Sequence, residues 1–95
     1  MNINIQSIHF TADNKLLDFI SKKLNKVLSI DDRVLSVDVF LKIDKPSSHG
    51  NKIVEIRLHS SLAELFASKQ TDTFEESTDL AVQALRKQIL KYKHR

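Results

Sequence analysis

Apolar and polar residues alternate over several stretches of this chain and elsewhere follow a helical period, and the switches between the two mark its elements. At the start, "NINIQS" alternates at Ile3 and Ile5, and Ile8 and Phe10 continue the apolar set. This predicts a first strand from about Asn2 to Ser7. Asp13 then stands where a helix N-cap is needed, its carboxylate suited to accept free amides of the first turn. From Asn14 to Leu28 the period is helical. At about 100° per residue, Leu16, Leu17, Ile20, Leu24, Val27 and Leu28 fall on one arc. Lys15, Lys22 and Lys26 cluster away from that arc, with Lys23 beside them. Phe19 falls between the two sides; it reads either as an extension of the core face or as an aromatic within a binding surface, and the large area an aromatic buries favours the first.

"SIDDR" makes a turn. Leu35, Val37, Val39, Leu41 and Ile43 then alternate with Ser36, Asp38, Phe40 and Lys42, the strongest strand signal in the chain. "DKPSSHGN" holds the only Pro and the only Gly and reads as a hairpin loop. Val54, Ile56 and Leu58 alternate with Glu55, Arg57 and His59 as a third strand. "SSLAELFASK" places Ala63, Leu65 and Ala67 on one face as a fourth. A last helix runs from about Phe74 to Tyr92, with Phe74, Thr78, Ala81, Val82, Leu85, Ile89 and Tyr92 as its apolar stripe. The order is β-α-β-β-β-α. Strands with one polar face imply a sheet covered on one side, as antiparallel neighbours allow. Both helical stripes need that covered side. The expectation is an α+β fold, one domain over residues 1–95, with a four-stranded sheet and two helices packed on one face.

Composition narrows the function classes. The chain has 95 residues, 41% hydrophobic and 28% charged, which is ordinary for a soluble globular domain. The absence of cysteine excludes disulfides, zinc-thiolate sites and thiol chemistry. "MNINIQSIHF" has neither the basic start nor the apolar run of a signal peptide, and no stretch is long and apolar enough for a membrane span. A cytoplasmic protein is expected. His9, His49, His59 and His94 share no metal-ligand spacing. A single glycine, Gly50, cannot build a phosphate-cradling loop. Glu75 and Glu76 open the last helix, where acids offset the positive end of its dipole, and Asp79 follows in its early turns. No enzyme activity, cofactor, metal or small-molecule substrate is expected.

Charge adds what composition does not. The net charge is +3, yet Leu80–Arg95 contains five bases and no acid, so the other 79 residues sum to −2. Cations near a helix C-terminus offset its negative end, but that effect fades within the last turn and these bases span three. Lys87 and Lys91 stand at i, i+4, and Arg86 and Lys93 at i, i+7, where like charges repel. Such an array suits an anionic partner; a solvated cationic face is the plain alternative. With the lysines of the first helix, the candidate patch is Lys22, Lys23, Lys26, Arg86, Lys87, Lys91 and Lys93. Two rigid basic helices suit the backbone of a nucleic acid. A membrane surface would need a free apolar helix face, and here the core takes both.

The sequence resembles the ribosome hibernation promoting factor family, the ribosome-associated inhibitors of bacteria and plastids. The likeness runs from "MNINIQSIHF", the cap Asp13 and "LLDFISKKLNKV", through "VLSVDVFLKID", to "TDLAVQALRKQILKYK", which looks like the family's closing helix. The resemblance implies the same β-α-β-β-β-α fold and a short form that lacks the further domain of long members. It implies binding in the mRNA and tRNA channel of the small ribosomal subunit, over the A and P sites, and contact with its rRNA. It also implies inhibition of translation in stationary phase or starvation. Short members differ in whether they promote ribosome dimers, often with a separate partner protein. Lys23 and Lys26 match basic positions of the first helix. Lys87, Lys91 and Lys93 match those of the second, and Gln88 matches a polar position beside them. Two departures stand out: Ala84 where Lys is common, with Arg86 close by, and Asp72 one residue early, which leaves the start of the last helix open. Two alternatives accompany this reading. One is a generic double-stranded RNA-binding domain. The other is an adaptor that binds no nucleic acid and uses Phe40 and Phe66 on the open sheet face.

Overall fold

The computed structural model describes residues 2–45 and 49–93. Part of the hairpin loop (46–48), His94 and Arg95 lie outside the described residues. The elements follow in the order β1 (Asn2–Ser7), α1 (Asn14–Leu28), β2 (Val34–Ile43), β3 (Lys52–Ser60), β4 (Glu64–Thr71) and α2 (Phe74–Lys93). The four strands form one sheet whose spatial order is the sequence order. β2, β3 and β4 pair antiparallel. β1 is the exception to the antiparallel expectation: it pairs parallel to β2, with Ile3 opposite Val37 and Ile5 opposite Val39. The cause is α1, which carries the chain back across the sheet, as a parallel pair requires. The same strand directions run α1 and α2 parallel to each other, so both C-termini lie at one end.

The core fills the space between the helices and one sheet face. Ile20 and Leu24 of α1, Val37, Val39 and Leu41 of β2, Val54 and Ile56 of β3, and Ala81 and Leu85 of α2 are fully buried. Phe10 stacks on Phe74, ring centroids 5.2 Å apart, joining the β1–α1 connection to the first turn of α2.

The facing of Leu35 also departs from the sequence expectation. Leu35 does not share the core face with Val37: it is 62% exposed, and Val34 is buried in its place. The register of β2 against β3 shifts between Val34 and Ser36. A bulge there inserts one extra residue, so the alternation before it lands on the opposite face.

Both helix starts are capped. The Asp13 carboxylate accepts from the Leu16 amide at 2.8 Å. The start of α2, open from the sequence, is set by Thr73, whose hydroxyl accepts from the Glu76 amide at 3.1 Å. Asp72 serves elsewhere: its carboxylate accepts from the Gly50 amide. Gly50 sits at φ +61°, which favours glycine. Buried Ser77 donates to the Lys52 carbonyl at 2.6 Å, fastening the first turn of α2 to β3.

Thr78 is fully buried, and its hydroxyl has no hydrogen-bond partner among the described residues. An unsatisfied buried hydroxyl costs about 1–3 kcal/mol, and valine is close in shape. Thr78→Val is therefore expected to stabilise the protein by about 1 kcal/mol. In a melt monitored by circular dichroism this raises Tm by about 4–8 °C. An unchanged or lowered Tm contradicts this account of the site.

Candidate nucleic-acid interface

The outer face of the two helices carries the candidate patch, and its members are not equivalent. Three of them line the groove between the helices: Lys23 and Lys26 from α1 and Arg86 from α2. The groove floor is apolar, from Val27, Ile30 and Val82, and Asp79 and Gln83 complete its rim. Lys26 and Arg86 are exposed. Lys22 stands beside the groove in an exposed i, i+4 pair with Asp18 at 3.6 Å. The Lys23 ammonium lies 3.1 Å from the Asp79 carboxylate and 5.4 Å from the centre of the Phe19 ring. Phe19 thus serves both readings: it packs partly buried against the core and borders the basic surface.

Lys87 and Lys91 lie outside this groove. At about 100° per residue they point outward from α2, turned away from α1, and both are exposed. Lys93 is engaged within the fold: its ammonium donates to the Ile30 carbonyl at 2.6 Å. Ile30 follows the end of α1, so Lys93 places a cation where the unpaired carbonyls of that helix gather. Nearby, the Arg33 fork holds the Asp31 carboxylate at 2.7 and 2.9 Å. That hydrogen bonding, helped by the Arg33 amide, keeps the carboxyl at a pKa of about 2. Gln88 faces the other way and donates to the Phe66 carbonyl of β4 at 2.8 Å. It therefore ties α2 to the sheet edge, and Ala84 packs partly buried near it against the core.

Sequence reasoning misses the place of Asp79. The helix dipole accounts for Glu75 and Glu76 in the first turn of α2, whereas Asp79 lies beyond that turn and reaches across the groove to Lys23. The signal lies in the spacing: Asp79, Gln83 and Arg86 stand at i, i+4 and i+7, one helix face.

The open sheet face is different in kind. Phe40 lies opposite Glu55 and Phe66 opposite Arg57, so charged residues separate the two rings. Arg57 lies over the Phe66 ring at 5.7 Å, and Lys42 pairs with Glu55 at 3.1 Å. His59 sits between two carboxylates, with Nδ1 2.9 Å from Glu64 and Nε2 3.1 Å from Asp38. Asn4 also donates to Asp38 at 3.3 Å. A neutral imidazole donates from one nitrogen only, whereas the imidazolium donates from both. Hydrogen bonding to Asp38, and then to Glu64, raises the His59 pKa above its ordinary 6.5.

The folded value is raised, so the stabilisation is complete below the unfolded pKa of about 6.5 and disappears as pH climbs through the folded value. Melting temperature is expected to fall as pH rises across that window, and His59→Gln is expected to flatten the fall. A profile unchanged in the variant would assign the slope to other groups.

Among the described residues, no group of three or more His, Asp or Glu is placed to hold a metal ion. No helix among them is long and apolar enough to cross a membrane.

Comparison with known proteins agrees with this architecture. A ribosomal subunit interface protein from Coxiella burnetii has the same fold, with a TM-score of 0.89 at 22% identity over the whole of both chains. The Protein Y N-terminal domain of Thermus thermophilus follows at a TM-score of 0.83 and 20% identity, over 97% of this chain and 99% of that one. A ribosome hibernation promoting factor of Azotobacter vinelandii is 26% identical over 95 residues, which is 100% of this chain and 85% of that protein. Residues 3–95 match the family described as Sigma 54 modulation protein / S30EA ribosomal protein, and with nearly its whole length inside that match the chain belongs to this family.

Proposed function

We propose that this protein is a cytoplasmic ribosome hibernation factor. It binds the small ribosomal subunit in the channel used by mRNA and tRNA, contacts rRNA through α1 and α2, and blocks the A and P sites under stress or in stationary phase. The observation that carries this reading is the convergence of Lys23, Lys26 and Arg86 on one inter-helix groove, in a chain of this family. Lys22, Lys87 and Lys91 extend the positive surface to either side, and Lys93 adds its charge at the shared C-terminal end of the helices. A surface of this kind takes phosphates in register because rigid backbones hold its charges at fixed spacing.

Two alternatives fit the geometry less well. A double-stranded RNA-binding domain commonly offers bases at the start of its last helix, and here that turn carries Glu75 and Glu76. An adaptor on the open sheet face would need a continuous apolar patch, and Glu55 and Arg57 interrupt it.

Added to a cell-free translation reaction, the protein is expected to inhibit with a maximum near one molecule per ribosome. In sucrose gradients it is expected in the fractions of small subunits or whole ribosomes. Full translation at several-fold excess over ribosomes would refute the proposal.

A further inference from the structure

Asp79 stands on the rim of an otherwise basic groove. It is the sixth residue of α2, beyond the first turn in which an acid profits from the helix dipole. Its pair with Lys23 has side chains 42% and 41% exposed, and an ion pair so open to solvent contributes little to folding. A groove that served only to attract phosphates would be stronger without this carboxylate, which repels them and occupies one of the three cations. Lys23 does not exhaust Asp79, since a carboxylate offers about four acceptor sites. The groove therefore presents two unlike demands on one ligand: an anion for Lys26 and Arg86, and a hydrogen-bond donor for Asp79.

A ribonucleotide backbone meets both. Each unit carries a phosphate and, close to it, a 2′-hydroxyl that donates, and this hydroxyl is what distinguishes RNA from DNA at a protein site. We propose that Asp79 accepts a hydrogen bond from a ribose 2′-hydroxyl while Lys26 and Arg86 hold neighbouring phosphates, so that the groove selects RNA over polyanions without that donor. This assignment rests on the reading of the partner as RNA. The exposed carboxylate needs no proton transfer to act, and its place on the groove rim is set by the backbone of α2.

The test uses one fluorescent hairpin oligonucleotide made twice, as RNA and as 2′-fluoro RNA, which retains the A-form and the charge but has no 2′ donor. The intact protein is expected to bind the RNA about tenfold more tightly, in line with one hydrogen bond to a charged acceptor. In Asp79→Ala the two affinities are expected to agree within about twofold, because the acceptor is gone and the remaining contacts are to phosphate. Lys23→Gln removes the partner of Asp79 but not the acceptor; it is expected to weaken binding to both and to keep the preference. A melt of each variant confirms that the fold is retained. Equal binding of both oligonucleotides by the intact protein overturns the assignment, as does a preference that survives in Asp79→Ala. Failure to bind either oligonucleotide also overturns it. Co-sedimentation with ribosomes then separates the two failures: if it persists, the wider proposal stands and only the role of Asp79 falls.

Discussion

Leu24→Asp and Leu85→Asp are each expected to abolish folding. Both side chains are fully buried, one at the centre of the inner face of each helix. Losing a buried leucine side chain costs about 2–5 kcal/mol on its own. Aspartate adds the desolvation of a carboxylate that has no cation within the core, several kcal/mol more. The whole stability of a domain of this size is about 5–14 kcal/mol. The substitution thus removes most or all of it. Circular dichroism of each variant should show loss of the cooperative melt. Leu80→Asp is the control, because Leu80 is 38% exposed on the outer side of α2, and it should melt close to the parent. A cooperative melt in Leu24→Asp or Leu85→Asp would show that the helix faces are assigned wrongly.

The second large effect concerns binding. Changing Lys87 and Lys91 together to Gln is expected to weaken ribosome binding while leaving the fold intact. Neither side chain has an ion pair or hydrogen bond among the described residues, and both are exposed. Each phosphate that goes without its lysine should lower the slope of log K against log salt by roughly 0.7–0.9. Relief of their i, i+4 repulsion should raise Tm by a small amount. If these lysines serve only the dipole of α2, the outcome reverses: Tm drops slightly and co-sedimentation with ribosomes is unchanged. Co-sedimentation at two salt concentrations, with a melt of the same double variant, separates the two. Lys93→Gln offers a contrast within the same helix. Its ammonium is spent on the Ile30 carbonyl, so its removal should bear more on stability than on the salt slope.

The helices are legible in the sequence because their period carries redundant information. Five buried positions of α1 repeat one face, and the Asp13 cap marks where it begins. The strands are legible where alternation is unbroken, as from Val37 to Leu41. Leu35 is misplaced by alternation because a bulge leaves no mark on composition: one extra residue reverses the facing of everything before it. The parallel pairing of β1 is hidden for a related reason. Alternation identifies a face but not a neighbour or a direction. The basic patch is legible as a set of residues, since charge and spacing are local properties. Its internal division is not. That Lys93 caps α1, that Asp79 answers Lys23, and that Gln88 binds β4 all depend on contacts between residues distant in the chain.

The parallel course of the two helices has a consequence for how the molecule meets a partner. Their N-terminal ends lie together, and α2 brings Glu75 and Glu76 there; their C-terminal ends lie together with Lys26, Arg86, Lys91 and Lys93. The bases of the two helices are therefore gathered toward one end of the molecule, and its charge is asymmetric along the helix direction. On the open sheet face, by contrast, Asp38, His59 and Glu64, and Lys42 with Glu55, satisfy one another at short range and project little field. A polyanion within a Debye length, about 8–10 Å in physiological salt, exerts a torque on such a molecule as well as a pull. It rotates the basic end forward before the two surfaces touch. A larger share of collisions then begins in the binding orientation, and raising the salt concentration removes this advantage from the association rate.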